Sequence, residues 1–181
     1  MTTVTRRTSE TEVSVTIGAG SWTKAAKVTT TLPFLDHMLV TLARYSDLAL
    51  DVRAVGDLDH HIAEDVALTV AQAIQQITPD TAARYGAAVV PMDDALVEAV
   101  LDVGGRPYYG GEVPDPLYDH VLRSLAIAAG WTLHVDVRRG NDPHHVIEAA
   151  VKAVGLALRA ALRQGDAVFS TKGSVTWEIS P

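Results

Sequence analysis

Hydrophobic residues recur with helical spacing in two long segments of this chain. The first set is Val66, Val70, Ile74 and Ile77, and the second is Val146, Ala150, Val154, Ala157, Leu158 and Leu162. Because residues three or four apart lie on one face of a helix, each set predicts a long amphipathic helix. Residues 33–45 and 117–129 have the same kind of spacing and predict two further helices.

Alternating polar and apolar residues predict strands between these helices. Residues 47–55 and 132–137 alternate in this way, and each segment comes before one of the long helices. Shorter strand-like stretches cover residues 12–17, 27–32, 87–90 and 96–103. Residues 18–22 and 104–116 contain glycine or proline and predict loops or turns.

The predicted elements follow the same order in both parts of the chain, with a seam near residues 84–86. Each part has strands, a helix, a strand and a long helix. We therefore predict a two-layer α/β fold with an internal duplication, in which each half is a mostly antiparallel sheet covered by helices on one face. The whole chain, residues 1–181, would be a single domain made of halves of about 1–84 and 86–181.

A short motif is duplicated together with the long helices. The sequence His-His-Ile-Ala-Glu at 60–64 recurs as His-His-Val-Ile-Glu at 144–148. Because residues four apart share a helix face, the first histidine of each copy can face the glutamate. The second histidine then points elsewhere, towards a second metal or a neighbouring subunit. A lone His-His pair is usually a surface accident or a structural pair, but two copies at equivalent positions favour a shared chemical role.

Composition limits the donors that could hold a metal. The chain has 181 residues, of which 48% are hydrophobic and 20% charged, and this composition predicts a folded protein with a real core. Since it has no cysteine, any metal must be held by His, Asp or Glu. Such donors suit Mn, Fe, Zn or Ni, and an octahedral Mn²⁺ site is attractive without thiolates. His37 and His134 are the further histidines placed usefully for this chemistry.

Charge and hydropathy exclude some classes of partner. A formal net charge of −7 argues against a general nucleic-acid-binding protein, but a few Arg and Lys residues could still bind a small phosphorylated substrate. Residues 1–16 lack the apolar stretch of a signal peptide, and no run reaches the roughly 18 apolar residues of a membrane span. We therefore expect no nucleic-acid partner, no membrane partner and a cytoplasmic location.

Eight short motifs, in order from residue 6 to residue 173, resemble those of the imidazoleglycerol-phosphate dehydratase family. They are Arg-Arg-Thr-Ser-Glu-Thr at 6–11, Phe-Leu-Asp-His-Met at 34–38, His-His-Ile-Ala-Glu-Asp at 60–65, Pro-Met-Asp-Asp at 91–94, Gly-Arg-Pro-Tyr at 105–108, Thr-Leu-His at 132–134, His-His-Val-Ile-Glu-Ala at 144–149 with Lys152, and Ser-Thr-Lys-Gly at 170–173. The resemblance implies halves of the ribosomal protein S5 domain 2-like type. It also implies a manganese lyase of histidine biosynthesis that converts D-erythro-imidazole glycerol phosphate into imidazole acetol phosphate.

The same resemblance implies the residues of the site. The metal ligands would be His37, His60, His61, Glu64, His134, His144, His145 and Glu148, shared between two Mn²⁺ ions per chain. The phosphate-binding residues would be Arg106, Lys152, Ser170 and Lys172. The catalytic candidates are Glu10, as general acid or base, with His37, Glu64 and Glu148. Family sites form where subunits meet, so the resemblance implies a homo-oligomer of about 24 subunits.

Some positions depart from the family pattern. Val40-Thr41 replaces Asp-Gln, Tyr45-Ser46 replaces His-Gly, and Asp94 replaces Glu. The loop before residue 60 is shorter than expected, and the shortened 109–118 segment lacks an arginine expected to bind phosphate. These changes leave the implied metal ligands in place but alter the substrate pocket.

The departures leave two alternatives open. The first is a divergent relative that dehydrates another phosphorylated or imidazole-bearing compound. The second is a non-catalytic, metal-binding assembly protein of the same fold. Retention of the four phosphate-binding residues favours an enzyme, since a metal store has no use for a phosphate pocket. Tyr45 and the missing arginine favour the alternatives.

Overall fold

The computed structural model describes residues 1–19 and 26–170. In chain order, its elements are β1 (Thr2–Arg7), β2 (Thr11–Ala19), β3 (Lys27–Thr29), α1 (Pro33–Ser46), β4 (Leu48–Gly56), α2 (Asp59–Gln75), β5 (Tyr85–Met92), β6 (Ala95–Asp102), β7 (Tyr108–Gly111), α3 (Pro116–Ala129), β8 (Thr132–Arg139) and α4 (Pro143–Ala161). Within the described ranges, no helix has the length and apolarity that a membrane crossing requires.

The strands form two four-stranded sheets with the same order of strands. The first sheet is ordered β1-β2-β4-β3 and the second β5-β6-β8-β7. In each sheet the first three strands pair antiparallel, and the last strand pairs parallel to its neighbour. This equivalence confirms the predicted duplication and the mostly antiparallel sheets.

Helices cover one face of each sheet. In β4, Leu48, Leu50, Val52 and Ala54 are buried, whereas the residues between them are not. Helices α1 and α2 pack on the first sheet, and α3 and α4 pack on the second. The two helical layers also pack on each other, α1 against α4 and α2 against α3. This packing brings the N-terminal turns of helices from different halves together.

Prolines and capping residues set where the helices begin. Pro33, Pro116 and Pro143 open α1, α3 and α4, where a residue without a backbone N–H is tolerated. The Asp142 carboxylate caps α4 by accepting a hydrogen bond from the His144 N–H. The start of α4, and with it the orientation of the second His-His motif, is therefore held locally.

Two strands lie outside the predicted set. Strand β1 is an edge strand whose residues are mostly exposed, so it lacks the alternating apolar face that predicts a strand. Strand β7 lies inside the predicted 104–116 loop, and that prediction is wrong there. Its two glycines disfavour a strand although its two tyrosines favour one, and parallel pairing with β8 holds the segment extended. The predicted 18–22 loop falls partly in β2 and otherwise outside the described residues.

Candidate active site

Three potential ligands meet where the first turns of α2 and α3 come together. The donor atoms of His60, Glu64 and His120 all lie within 4.8 Å of one another. Within α2, His60 Nε2 is 3.9 Å from Glu64 Oε2. From α3, His120 Nε2 is 3.7 Å from Glu64 Oε1, and its ring stacks on that of His60 with centroids 4.7 Å apart. Two imidazole nitrogens and a carboxylate oxygen at these separations can share one divalent ion.

A corresponding but less compact second group forms where α1 meets α4, with the rings of His37 and His144 6.4 Å apart between centroids. His37 Nε2 and His144 Nε2 each lie 3.2 Å from the same oxygen, Glu148 Oε2. The Lys152 ammonium donates to the other carboxylate oxygen, Oε1, at 2.9 Å. Burial opposes ionisation of Glu148, but hydrogen bonds from Lys152 and His37 outweigh it and hold the pKa of Glu148 below its usual range. Glu148 is therefore ionised at neutral pH although only 8% of the residue is exposed.

Each group combines residues from both halves of the chain. His37 comes from the first half but meets the His-His-x-x-Glu motif of the second, and His120 does the converse. This crossing follows from the packing of α1 against α4 and of α2 against α3. Neither half alone would hold a complete group.

The second histidine of each motif is oriented by a carboxylate outside these groups. Asp57 Oδ1 lies 2.9 Å from His61 Nδ1, and Asp94 Oδ1 lies 2.8 Å from His145 Nδ1. These hydrogen bonds raise the pKa of both imidazoles. The backbone N–H of Asn141, together with His145 and the Asp142 N–H, lowers the pKa of Asp94 to about 2. A carboxylate on Nδ1 leaves Nε2 of His61 as the nitrogen available for a ligand, whereas Nε2 of His145 also lies 3.5 Å from Asp93 Oδ2.

Two predicted site residues lie apart from both groups. His134 is on the open face of the second sheet, where its ring approaches Tyr108 with centroids 5.3 Å apart. Glu10 follows β1, and its half-exposed carboxylate is 3.6 Å from His61 Nδ1. Within one chain, His134 cannot join the ligands at the helix ends, because the sheet lies between them.

The predicted phosphate-binding residues fall in two places. Arg106 and Ser170 line one open cavity of about 930 Å³, together with Arg84 and Asp102. Lys152 instead lies beside Glu148, with its ammonium 5.8 Å from the centre of the Tyr45 ring. Tyr45, which replaces a histidine of the family pattern, is half-buried against α4 near Lys152. Lys172 lies outside the described residues.

His120 is the histidine that the sequence motifs left unassigned, although the chain carries a signal for it. Helix α1 begins Pro-x-x-Asp-His at 33–37, and α3 begins Pro-x-x-Asp-His at 116–120. His120 is thus the duplicate of His37. This repeat is short and the residues around it differ between the two copies. It is therefore a weaker signal than the His-His-x-x-Glu repeat, and the motifs alone did not assign His120.

We expect His120→Ala to lower the metal content of the Mn²⁺-loaded protein by about one ion per chain, because only His60 and Glu64 remain in the first group. Mass-spectrometric metal analysis after gel filtration measures this loss. Arg123→Gln, one helical turn further along α3, is the matched control and should retain the wild-type metal content. Unchanged metal content in His120→Ala would contradict the assignment of His120 as a metal ligand together with His60 and Glu64.

The chain is similar over most of its length to proteins of one known family. The family model described as imidazoleglycerol-phosphate dehydratase matches residues 30–158. The imidazoleglycerol-phosphate dehydratase of Anaeromyxobacter dehalogenans (strain 2CP-C) is 44% identical, over 95% of this chain and 90% of its own length. That of Pyrobaculum aerophilum is 44% identical, over 93% of this chain and 96% of its own length.

Solved structures show the same similarity. The crystal structure of IGPD from Pyrococcus furiosus in complex with (S)-C348 has a TM-score of 0.86 and 35% identity, covering 95% of this chain and all 100% of that one. The imidazoleglycerol-phosphate dehydratase structure from Staphylococcus aureus subsp. aureus N315 has a TM-score of 0.79 and 31% identity, covering 90% and 98%. The resemblance seen in the motifs is confirmed: this chain belongs to the imidazoleglycerol-phosphate dehydratase family, the hydro-lyases that act in histidine biosynthesis.

Proposed function

We propose that this chain converts D-erythro-imidazole glycerol phosphate into imidazole acetol phosphate at a site built from the two His-His-Glu groups, Glu10 and the Arg106 cavity. The observation that carries the proposal is the crossed pair of groups, His60–Glu64–His120 and His37–Glu148–His144. Two equivalent nitrogen–oxygen donor sets in one chain fit a substrate whose imidazole ring offers two nitrogens.

The donor chemistry fits Mn²⁺, and we propose two ions per chain, one for each group. All donors are imidazole nitrogens and carboxylate oxygens, which suit this ion. Ions bound at both groups would supply Lewis-acid stabilisation of negative charge on the substrate ring. His61 and His145 remain predicted ligands; because Asp57 and Asp94 hold their Nδ1 atoms, Nε2 is the nitrogen of each ring that would bind the metal.

The chain's own residues would move the protons and hold the phosphate. We assign the general acid–base step to Glu10, whose half-exposed carboxylate stands beside His61. Arg106 would bind the phosphate through the fork of its guanidinium, and Ser170 lines the same cavity. Lys172 stays a prediction for the same phosphate.

We also propose that the complete site forms between copies of this chain. His134 lies on the open face of the second sheet, on the side away from the helices. The same face exposes Val89, Val100 and Tyr108, which gives a second copy an apolar surface to cover. The predicted homo-oligomer of about 24 subunits would supply that contact. A cytoplasmic location also remains a prediction.

Turnover by the purified, Mn²⁺-loaded protein tests the proposal. We expect the protein to form imidazole acetol phosphate. A chelator should abolish this activity and added Mn²⁺ should restore it, because the proposed site requires bound metal ions. An inactive protein that binds two ions and inorganic phosphate would favour dehydration of another phosphorylated compound. An inactive protein that binds metal but no phosphate would favour the non-catalytic assembly protein.

A further inference from the structure

An ion pair lies at the floor of the Arg106 cavity. Arg84 donates from Nε to Asp102 Oδ1 at 2.8 Å and from Nη2 to Asp102 Oδ2 at 3.0 Å. The two side chains are only 26% and 16% exposed, and two parallel bonds fix their relative orientation. Burial opposes ionisation of Asp102, but Arg84 and the Gly104 N–H outweigh it and hold the pKa of Asp102 below its usual range. The pair is therefore fully charged at neutral pH.

Asp102 also holds the turn that carries Arg106. Its Oδ1 accepts a hydrogen bond from the Gly104 N–H at 2.9 Å. At Gly105 a Cβ atom would lie 2.9 Å from Asp102 Oδ2 and 2.5 Å from Thr132 Oγ1, so only glycine fits without displacement. The Thr132 hydroxyl donates to the Arg106 carbonyl at 2.7 Å. The backbone of the turn is thus fixed up to the residue that faces the cavity.

Arg84 holds the opposite wall. Its Nη1 donates to the Phe169 carbonyl at 3.3 Å, directly before Ser170. The Phe169 ring meets Tyr85, the neighbour of Arg84, edge-on with centroids 6.0 Å apart. The segment that leads to Ser170 is therefore attached to the same ion pair as the Arg106 turn.

We propose that Arg84 and Asp102 are positioning residues, a bracket that sets the spacing between Arg106 and Ser170 for one phosphate monoester. The assignment of phosphate to this cavity rests on the proposed function. We assign Arg84 to positioning and not to the anion itself, because Asp102 neutralises its charge and three of its five N–H groups already donate to Asp102 and Phe169. Among the described residues, no carboxylate forms an ion pair with Arg106, which leaves its guanidinium for the substrate.

Affinity for inorganic phosphate, measured calorimetrically on the full-length, metal-loaded protein, tests the bracket. Asp102→Asn should weaken binding by about tenfold or more, since hydrogen bonds to charged groups are worth that much. A directly binding Arg84 predicts the opposite result, because loss of the Asp102 charge would free its guanidinium and tighten binding. Arg84→Lys keeps the positive charge but cannot donate to both Asp102 and the Phe169 carbonyl as the guanidinium does. It should therefore weaken phosphate binding as well.

Controls separate the bracket from general effects on folding. Arg159→Gln breaks an exposed ion pair with Asp47, outside the cavity, and should leave phosphate affinity unchanged. The double variant Arg84→Gln with Asp102→Asn should bind no more weakly than the worse single variant, because both act through one unit. Thermal unfolding identifies any variant that has lost the fold, and Arg84→Lys retains a test if Arg84→Gln does not fold.

Steady-state kinetics distinguish failure of the bracket from failure of the proposed function. In the active enzyme the bracket variants should raise KM by about tenfold and change kcat much less, the signature of lost substrate binding. If the wild type is inactive on imidazole glycerol phosphate but the variants still weaken phosphate binding, the proposed function is wrong. The positioning role of Arg84 and Asp102 is then still supported. Variants that bind phosphate as the wild type does, or a wild type that binds none, would overturn the bracket.

Discussion

Glu148→Gln should abolish dehydration, with kcat/KM lower by roughly 10³-fold or more. Residues behind metal ligands typically change metal affinity or activity by about 10–100-fold, so loss of a charged ligand is expected to cost more. Glu148 is the centre of its group, since His37 Nε2, His144 Nε2 and the Lys152 ammonium all approach its carboxylate. An amide retains the shape of the side chain but removes the charge that these three groups share.

Metal analysis and turnover on the same preparation measure this effect. We expect the variant to lose about one ion per chain while the His60–Glu64–His120 group keeps its own. Glu12→Gln is the matched control, because it changes an exposed carboxylate of the first sheet that is paired with Arg7 instead. Wild-type turnover by Glu148→Gln would contradict the proposal that the His37–Glu148–His144 group is part of the active site.

Glu10→Gln should lower kcat by about 10²- to 10⁴-fold without loss of metal, because general acid–base catalysis typically contributes that much. The Glu10 carboxylate is half-exposed and lies 3.6 Å from His61 Nδ1, outside both groups. Glutamine cannot exchange a proton at neutral pH but fills the same volume. The effect would therefore fall on the chemical step and leave the metal content unchanged.

Glu12→Gln provides the comparison for this prediction. Glu12 is two residues further along, is similarly exposed and is paired with Arg7. The Glu12 variant should retain turnover, and both variants should bind Mn²⁺ as the wild type does. Equal loss of activity in the two variants would point to a general effect of charge at this edge, and wild-type activity in Glu10→Gln would exclude Glu10 as acid or base.

The local geometry of each His-His-x-x-Glu motif could be predicted from the sequence alone. Spacing of four residues on a helix places His60 by Glu64 and His144 by Glu148, and the structure has them at 3.9 Å and 3.2 Å. Apolar periodicity likewise predicted the four helices, and the repeated motif predicted the duplicated fold. These features depend on residues a few positions apart, so helical and strand periodicity determines them.

Contacts between distant segments were decided by the tertiary structure. Nothing in the motifs states that His37 meets Glu148, 111 residues away, or that His120 completes the group of the other half. Strand β7 forms only because β8 lies beside it, and the Arg84–Asp102 pair needs the end of β6 next to the residue before β5. The sequence by itself thus predicted the two His-His-x-x-Glu motifs and how each is arranged, but it did not single out His120. The packing of α1 on α4 and of α2 on α3 decided which ligands meet, because side chains far apart in sequence are joined only when their helices bury apolar faces against each other.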